Sequence, residues 1–183
     1  MISRAGCRIR TRSARHSDEK SIANKSLAEE SRRRAHFQMS RATPLMRNFA
    51  RRLIDYEAGE NKSSGTQTPS AFRGCEKLRL QLATFMGNSG FHTLLARSLV
   101  LSTAEVPWLR AVRLKADGPL EGLEELQAQL EGDEFFEGGV VLLAQLLGLL
   151  AAFIGANLTV RLVREVWPKV SLNNLDFDEV GKT

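Results

Sequence analysis

Histidine is scarce in this chain: His16, His36 and His92 are the only three in 183 residues, and two of them fall in its first forty positions. Histidine-based general-base and zinc arrangements therefore have almost nothing to be built from. Cysteine is scarcer still. Cys7 lies in a basic tail and Cys75 in a helical pattern, which is no disulfide framework, and no CxxC or Cys/His ligand spacing occurs. A reduced chain of cytoplasmic type is the expectation. No P-loop, GxGxxG, GxSxG or HExxH motif is present. NLDFDEV near the C-terminus carries Asp176, Asp178 and Glu179 but lacks the spacing and the glycine of a calcium loop. No catalytic residue, metal or cofactor is expected.

Charge is abundant but uneven. Residues 1–52 hold 14 Lys and Arg against 4 Asp and Glu, a net +10, while residues 53–183 hold 12 against 17, a net −5. The pattern is a basic arm on a mildly acidic domain, so the high overall pI is no argument that the folded part binds nucleic acid. Residues 1–43 are rich in Arg and Ser and poor in Val, Leu and Phe. They cannot bury enough apolar surface to offset the entropy of ordering, and disorder is expected. They contain no apolar h-region of a secretory signal, and Met39 or Met46 is an alternative start. The run Arg32-Arg33-Arg34 could contact phosphates, which is the one route to nucleic acid.

Beyond the arm, Thr43-Pro44 reads as N-cap and first helical position. LMRNFARRLIDYEAG then sets Leu45, Met46, Phe49, Leu53 and Tyr56 near one face, with Arg47, Arg51 and Arg52 opposite and Gly59 as the stop. A basic amphipathic helix of this kind packs on its own domain, or lies on a membrane or an acidic partner. A Gly/Ser/Thr linker (59–68) follows, and Thr68-Pro69 repeats the start signal. Phe72, Cys75, Leu78, Leu82, Phe85 and Met86 recur at helical spacing, which makes Cys75 a core thiol. A turn at 87–90 leads to a second helix ending at Pro107. WLRAVRL could be a strand or a helical turn. A lone strand has no sheet to join, so helix is expected up to an Asp117-Gly118-Pro119 turn. Leu120, Leu123, Leu126 and Leu130 mark a short surface helix with Gly132 as its C-cap.

Residues 138–160, GGVVLLAQLLGLLAAFIGANLTV, carry no charge and are long enough to cross a bilayer. Their acidic-before, basic-after flanks would place the C-terminal end inside, which requires exporting the basic arm without a signal. The helical pattern also continues through LTVRLVREVW to Pro168, so a buried central helix over about 140–167 is the expectation. Gln145, Gly148, Ala152, Gly155 and Thr159 form a heptad-like stripe of small or weakly polar residues, a candidate helix–helix interface. Such a helix would be roughly 40 Å long, against about 25 Å for those at 70–86 and 91–106. Either it breaks near Gly155, or helix 44–58 covers the excess, or a second copy does, and a homodimer is expected.

FHTLLARS places His92, Thr93 and Leu94 early in a helix of an all-helical domain, and it resembles the histidine phosphotransfer domains, four-helix bundles with an exposed phosphoaccepting His. The resemblance implies His92 as phosphoacceptor. It departs where the family has Lys and Gly, since Leu95 and Ala96 stand there, and the missing Lys removes the cation that would steady a phosphoryl group.

The sequence thus predicts an all-α domain over 44–172, with four to five helices packed around the long 140–167 helix, a disordered arm at 1–43 and a tail at 173–183. The expected role is a cytoplasmic helical interaction or regulatory protein without catalytic activity, acting on a protein partner or on itself. The alternatives are a membrane-associated protein anchored by 138–160 and a phosphotransfer-like module using His92.

Overall fold

A computed structural model describes residues 42–60, 68–115 and 120–170 of the chain, all within the structural unit Arg41–Thr183. The arm with Arg32, Arg33 and Arg34, most of the 59–68 linker, the Asp117-Gly118-Pro119 turn and the tail 173–183 lie outside the described residues.

The first helix, α1 (Pro44–Glu60), starts as its cap chemistry dictates. The Met46 amide donates to Thr43 Oγ1 at 3.3 Å, and Pro44 takes the first position, where a missing N–H is harmless. Met46, Phe49, Ala50, Leu53, Ile54 and Glu57 are buried, one stripe at steps of three and one. Arg47 and Arg51, expected on the outer side, turn back into ion pairs with Glu105 and Glu137. Arg51 also lies over the Phe136 ring, 5.5 Å from its centroid.

Helix α2 (Ser70–Thr103) contains one non-helical residue, Gly87, with φ 74° and ψ 166°, a backbone that side chains rarely adopt. It divides α2 into arms of opposite sense. Along the first arm, Ala71 lies beside Gly139 and Gly74 beside Leu143, so this arm runs parallel to the central helix. The second arm leads to Glu105, which reaches Gln145, and to Trp108, which covers Gly138, so it runs back the other way. The reversal expected over 87–90 is made at Gly87 alone. Ser98 and Ser102 are buried on the second arm, and their hydroxyls donate to the carbonyls of Leu94 and Ser98.

Pro107–Ala111 is a short 3-10 helix, as expected of WLRA, but the next two residues depart from the helical expectation. Arg113–Leu114 (β1) pairs antiparallel with Leu120–Glu121 (β2), Arg113 opposite Glu121 and Leu114 opposite Leu120. The partner strand lies just across the turn, which a search for a distant sheet overlooks. Helix α3 (Leu123–Gln129) follows, but Gly132 does not cap it. Leu130 is already extended, and Gly132 instead opens the central helix α4 (Gly132–Ile154), whose first turn carries Asp133 and Glu134 where the helix dipole favours acids.

Every residue of α4 from Gly138 to Leu147 is buried. Helix α4 is long and apolar enough to cross a membrane, and here α1, α2 and the last helix pack against it. The glycines set how close they come. A Cβ on Gly138 would overlap Trp108 Cζ2, and one on Gly139 would stand only 2.5 Å from the Ala71 carbonyl oxygen. Trp108 stacks on Phe135 (5.7 Å, 10°), with Phe72 edge-on to both.

One helix over 140–167 does not form. Gly155 (φ 89°, ψ 154°) breaks it, and α5 (Ala156–Val166) folds back, so the break near Gly155 is the outcome of the three possibilities raised by length. Glu165 faces Gln81 and Trp167 touches Gly74, which makes α5 antiparallel to the first arm of α2.

A buried carboxylate joins the first and last helices. Glu57 accepts from Trp167 Nε1 at 2.6 Å and from Lys77 Nζ at 2.5 Å, and both Glu57 and Trp167 are 1% exposed. Trp and Lys together satisfy a charge that would otherwise be costly to bury.

Urea unfolding tests both the close packing and the buried carboxylate. Gly139→Ala is expected to destabilise by ~1–3 kcal/mol, because its methyl meets backbone. Gly148→Ala, with nothing within 4 Å of the new Cβ, is expected to be neutral or stabilising by up to ~1 kcal/mol. Glu57→Ala strands the buried indole N–H and is expected to cost ~2–4 kcal/mol, with Glu57→Gln retaining an acceptor and losing less. Equal midpoints for the two Glu57 variants would contradict this account of the site.

Candidate functional site

The five residues of the small-residue stripe do not share one helix face, since Gly155 breaks the chain between them. Gln145 and Thr159 are inside. Gln145 Nε2 donates to Glu105 Oε1 at 3.2 Å, and Glu105 also holds Arg47, which pins the loop after α2 and helix α1 to the middle of α4. Thr159 donates to the Gly155 carbonyl at 2.9 Å. Gly148, Ala152 and Gly155 are the outward part: Ala152 and Gly155 are exposed and Gly148 faces open space. The close backbone contacts that small residues permit lie elsewhere, at Gly74, Gly138 and Gly139. The GG pair at 138–139 is visible in the sequence, and Gly138 lies one heptad before Gln145, but the stripe as read begins at Gln145.

His92 is half-buried near the start of the second arm of α2, and the Thr93 hydroxyl beside it donates to the Ser89 carbonyl. Leu95, at the position where the phosphotransfer family has its Lys, is buried in the core. Cys75 is buried against the same core, and burial pushes its thiol up to about 12, with the Glu76 carboxylate adding to the effect. Among the described residues no three His, Cys, Asp or Glu side chains are grouped to hold a metal ion.

What the fold does assemble is an uncharged apolar end. Phe85 lies about three turns beyond Gly74 on the first arm of α2, and Phe153 about three turns beyond Leu143 on α4. Since Gly74 and Leu143 touch and the two helices are parallel, both rings come out at one height. Helix α5 returns from Gly155 antiparallel, so Leu158 in its first turn stands at that height too. Phe85 is 70% exposed, Phe153 73% and Leu158 53%, and Gly87, Ala152 and Gly155 at the two reversals are exposed as well. Both reversals are free of charge, with no Asp, Glu, Lys or Arg in 80–96 or 138–160. Leu80 and Val100, also exposed, lie further from the reversals. Spacing alone assigns Phe85 to the core stripe, but the bundle ends before anything can cover it. The uncharged stretch at 80–96 is the signal that could have revealed it.

In a Cys7→Ser background at mildly alkaline pH, iodoacetamide is expected to label Cys75 of the folded chain roughly 100-fold or more slower than the chain unfolded in guanidinium. Equal rates would place the thiol at the surface.

Set against family models, curated proteins and solved structures, the chain matches none of them.

Proposed function

We propose that this chain is a non-catalytic helical docking module and that it binds through the uncharged end carrying Phe85, Phe153 and Leu158. One observation carries this role: two separate chain reversals, each uncharged, bring exposed aromatic rings to the same end. Single exposed apolar residues are ordinary on protein surfaces, whereas a contiguous group marks a place where something else is bound. The rest of α4 already has its partners within the chain, which supports its role as the interior of the bundle rather than a membrane span. Leu95 in place of a lysine leaves His92 without the cation that the family supplies to a phosphoryl group and weighs against the phosphotransfer alternative.

Removing the rings tests the role without touching the core. The double variant Phe85→Ser/Phe153→Ser is expected to keep the thermal midpoint of the parent within a few degrees and to lose most of the fluorescence rise of a hydrophobic reporter dye, a severalfold change. An undiminished dye response would remove the basis for docking at this end.

A further inference from the structure

The charges around the docking end identify what it fits, on the premise that this end is where the chain binds. Four segments leave the apolar end; along three of them the first charged residue is an arginine, and along the fourth, α4, it is Glu137 near the far end of that helix. Arg79 is met going back along the first arm of α2, Arg97 going forward along the second, and Arg161 going forward along α5. Arg97 and Arg161 are exposed, while Arg79 shares its guanidinium with Glu76 at 2.8 Å. The nearest acids on these three segments, Glu76, Glu105 and Glu165, all lie further from the end than the arginines. The opposite end of α4 has the reverse character. Between Leu120 and Glu137 there are only acids, of which Glu124, Glu125, Glu131, Asp133 and Glu134 are exposed; Lys115 and Arg51 pair with Glu121 and Glu137, and the exposed Arg110 and Arg113 beside them leave this end acidic on balance.

We propose that this end docks on an anionic lipid surface. Phe85, Phe153 and Leu158 enter the boundary between headgroups and acyl chains, and Arg97 and Arg161 lie among the headgroup phosphates. Helix α4 stays inside the bundle throughout. Arg161 stands one helical turn behind Leu158, about 5 Å along α5, which matches the depth to which apolar side chains enter a bilayer interface. Anionic lipid attracts basic groups near its surface, and the acidic end then faces away from it. A second copy of the chain is the poorer occupant, because an end-to-end pair brings two arginine collars together.

The test uses the full chain with vesicles of phosphatidylcholine alone and of phosphatidylcholine with phosphatidylserine. The arm, with its own excess of Arg, is left in place so that its contribution is common to all variants. Co-sedimentation with the anionic vesicles is expected to fall about tenfold in Phe85→Ser/Phe153→Ser, and by a similar factor at low salt in Arg97→Gln/Arg161→Gln. A Phe153→Trp variant gives a local readout: the emission of its added indole is expected to shift to the blue on anionic vesicles and to be quenched by brominated acyl chains. Binding that is unchanged in the Phe and Arg variants, or an indole emission in Phe153→Trp that ignores the vesicles, overturns the lipid proposal. If vesicle binding fails while sedimentation velocity shows a dimer that Phe85→Ser/Phe153→Ser abolishes, the end is a docking surface for a second copy and only the lipid partner falls. Failure of vesicle binding, self-association and dye response together removes both.

Discussion

At Gly139 the central helix has no side chain, and the carbonyl of Ala71 occupies the space a methyl would need. That approach of backbone to backbone fixes the register of two parallel helices. Their burial, their partners and the level at which each one emerges follow from it. If α2 were to slide by one turn along α4, Ala71 would meet a residue with a Cβ, and Leu143 would no longer fill the notch at Gly74. Close packing makes such registers discrete rather than adjustable. The exposed pair Phe85 and Phe153 is thus set by contacts three turns away.

The polar groups inside the bundle act as pins at chosen points. Gln145, in the middle of an otherwise apolar helix, binds Glu105, and Glu105 binds Arg47, so one carboxylate ties three segments together. Glu57 does the same at the other side of α1, with Trp167 and Lys77 as donors. A core of Leu, Val and Phe alone tolerates several packings of similar energy. Charged groups that are satisfied in only one arrangement discriminate between them, at some cost in stability.

Much of this architecture was legible in the sequence, because periodicity and breakers are local. Thr43-Pro44 gave the start of α1, the steps among Phe72, Cys75, Leu78 and Leu82 gave the first arm of α2, and the unbroken apolar run around Val140–Leu147 marked the central helix. What was not legible is what depends on distant chain. The strand at Arg113–Leu114 exists only because Leu120–Glu121 returns to it. Glu57 looks like one more exposed acid on a helix until Trp167 arrives 110 residues later. Gly155 was a candidate break whose occurrence depended on whether α5 had a groove to return to, and the first arm of α2 provides it. At the docking end, Phe85 fits a helical stripe by spacing alone. Its exposure follows from where the neighbouring helices stop, which no local pattern encodes.

The pairing of Glu57 with Trp167 has a consequence for how the chain is made. During synthesis, α1 leaves the ribosome long before residue 167 does, and the helices between can assemble on α4 as they emerge. Until the last turn appears, Glu57 can pair with Lys77 but has no indole to close over it. The carboxylate can be sealed into the core only when the far end of the bundle is in place. The final closing step is therefore a long-range contact between the first helix and the last, the kind that forms slowly because so much chain must first be ordered.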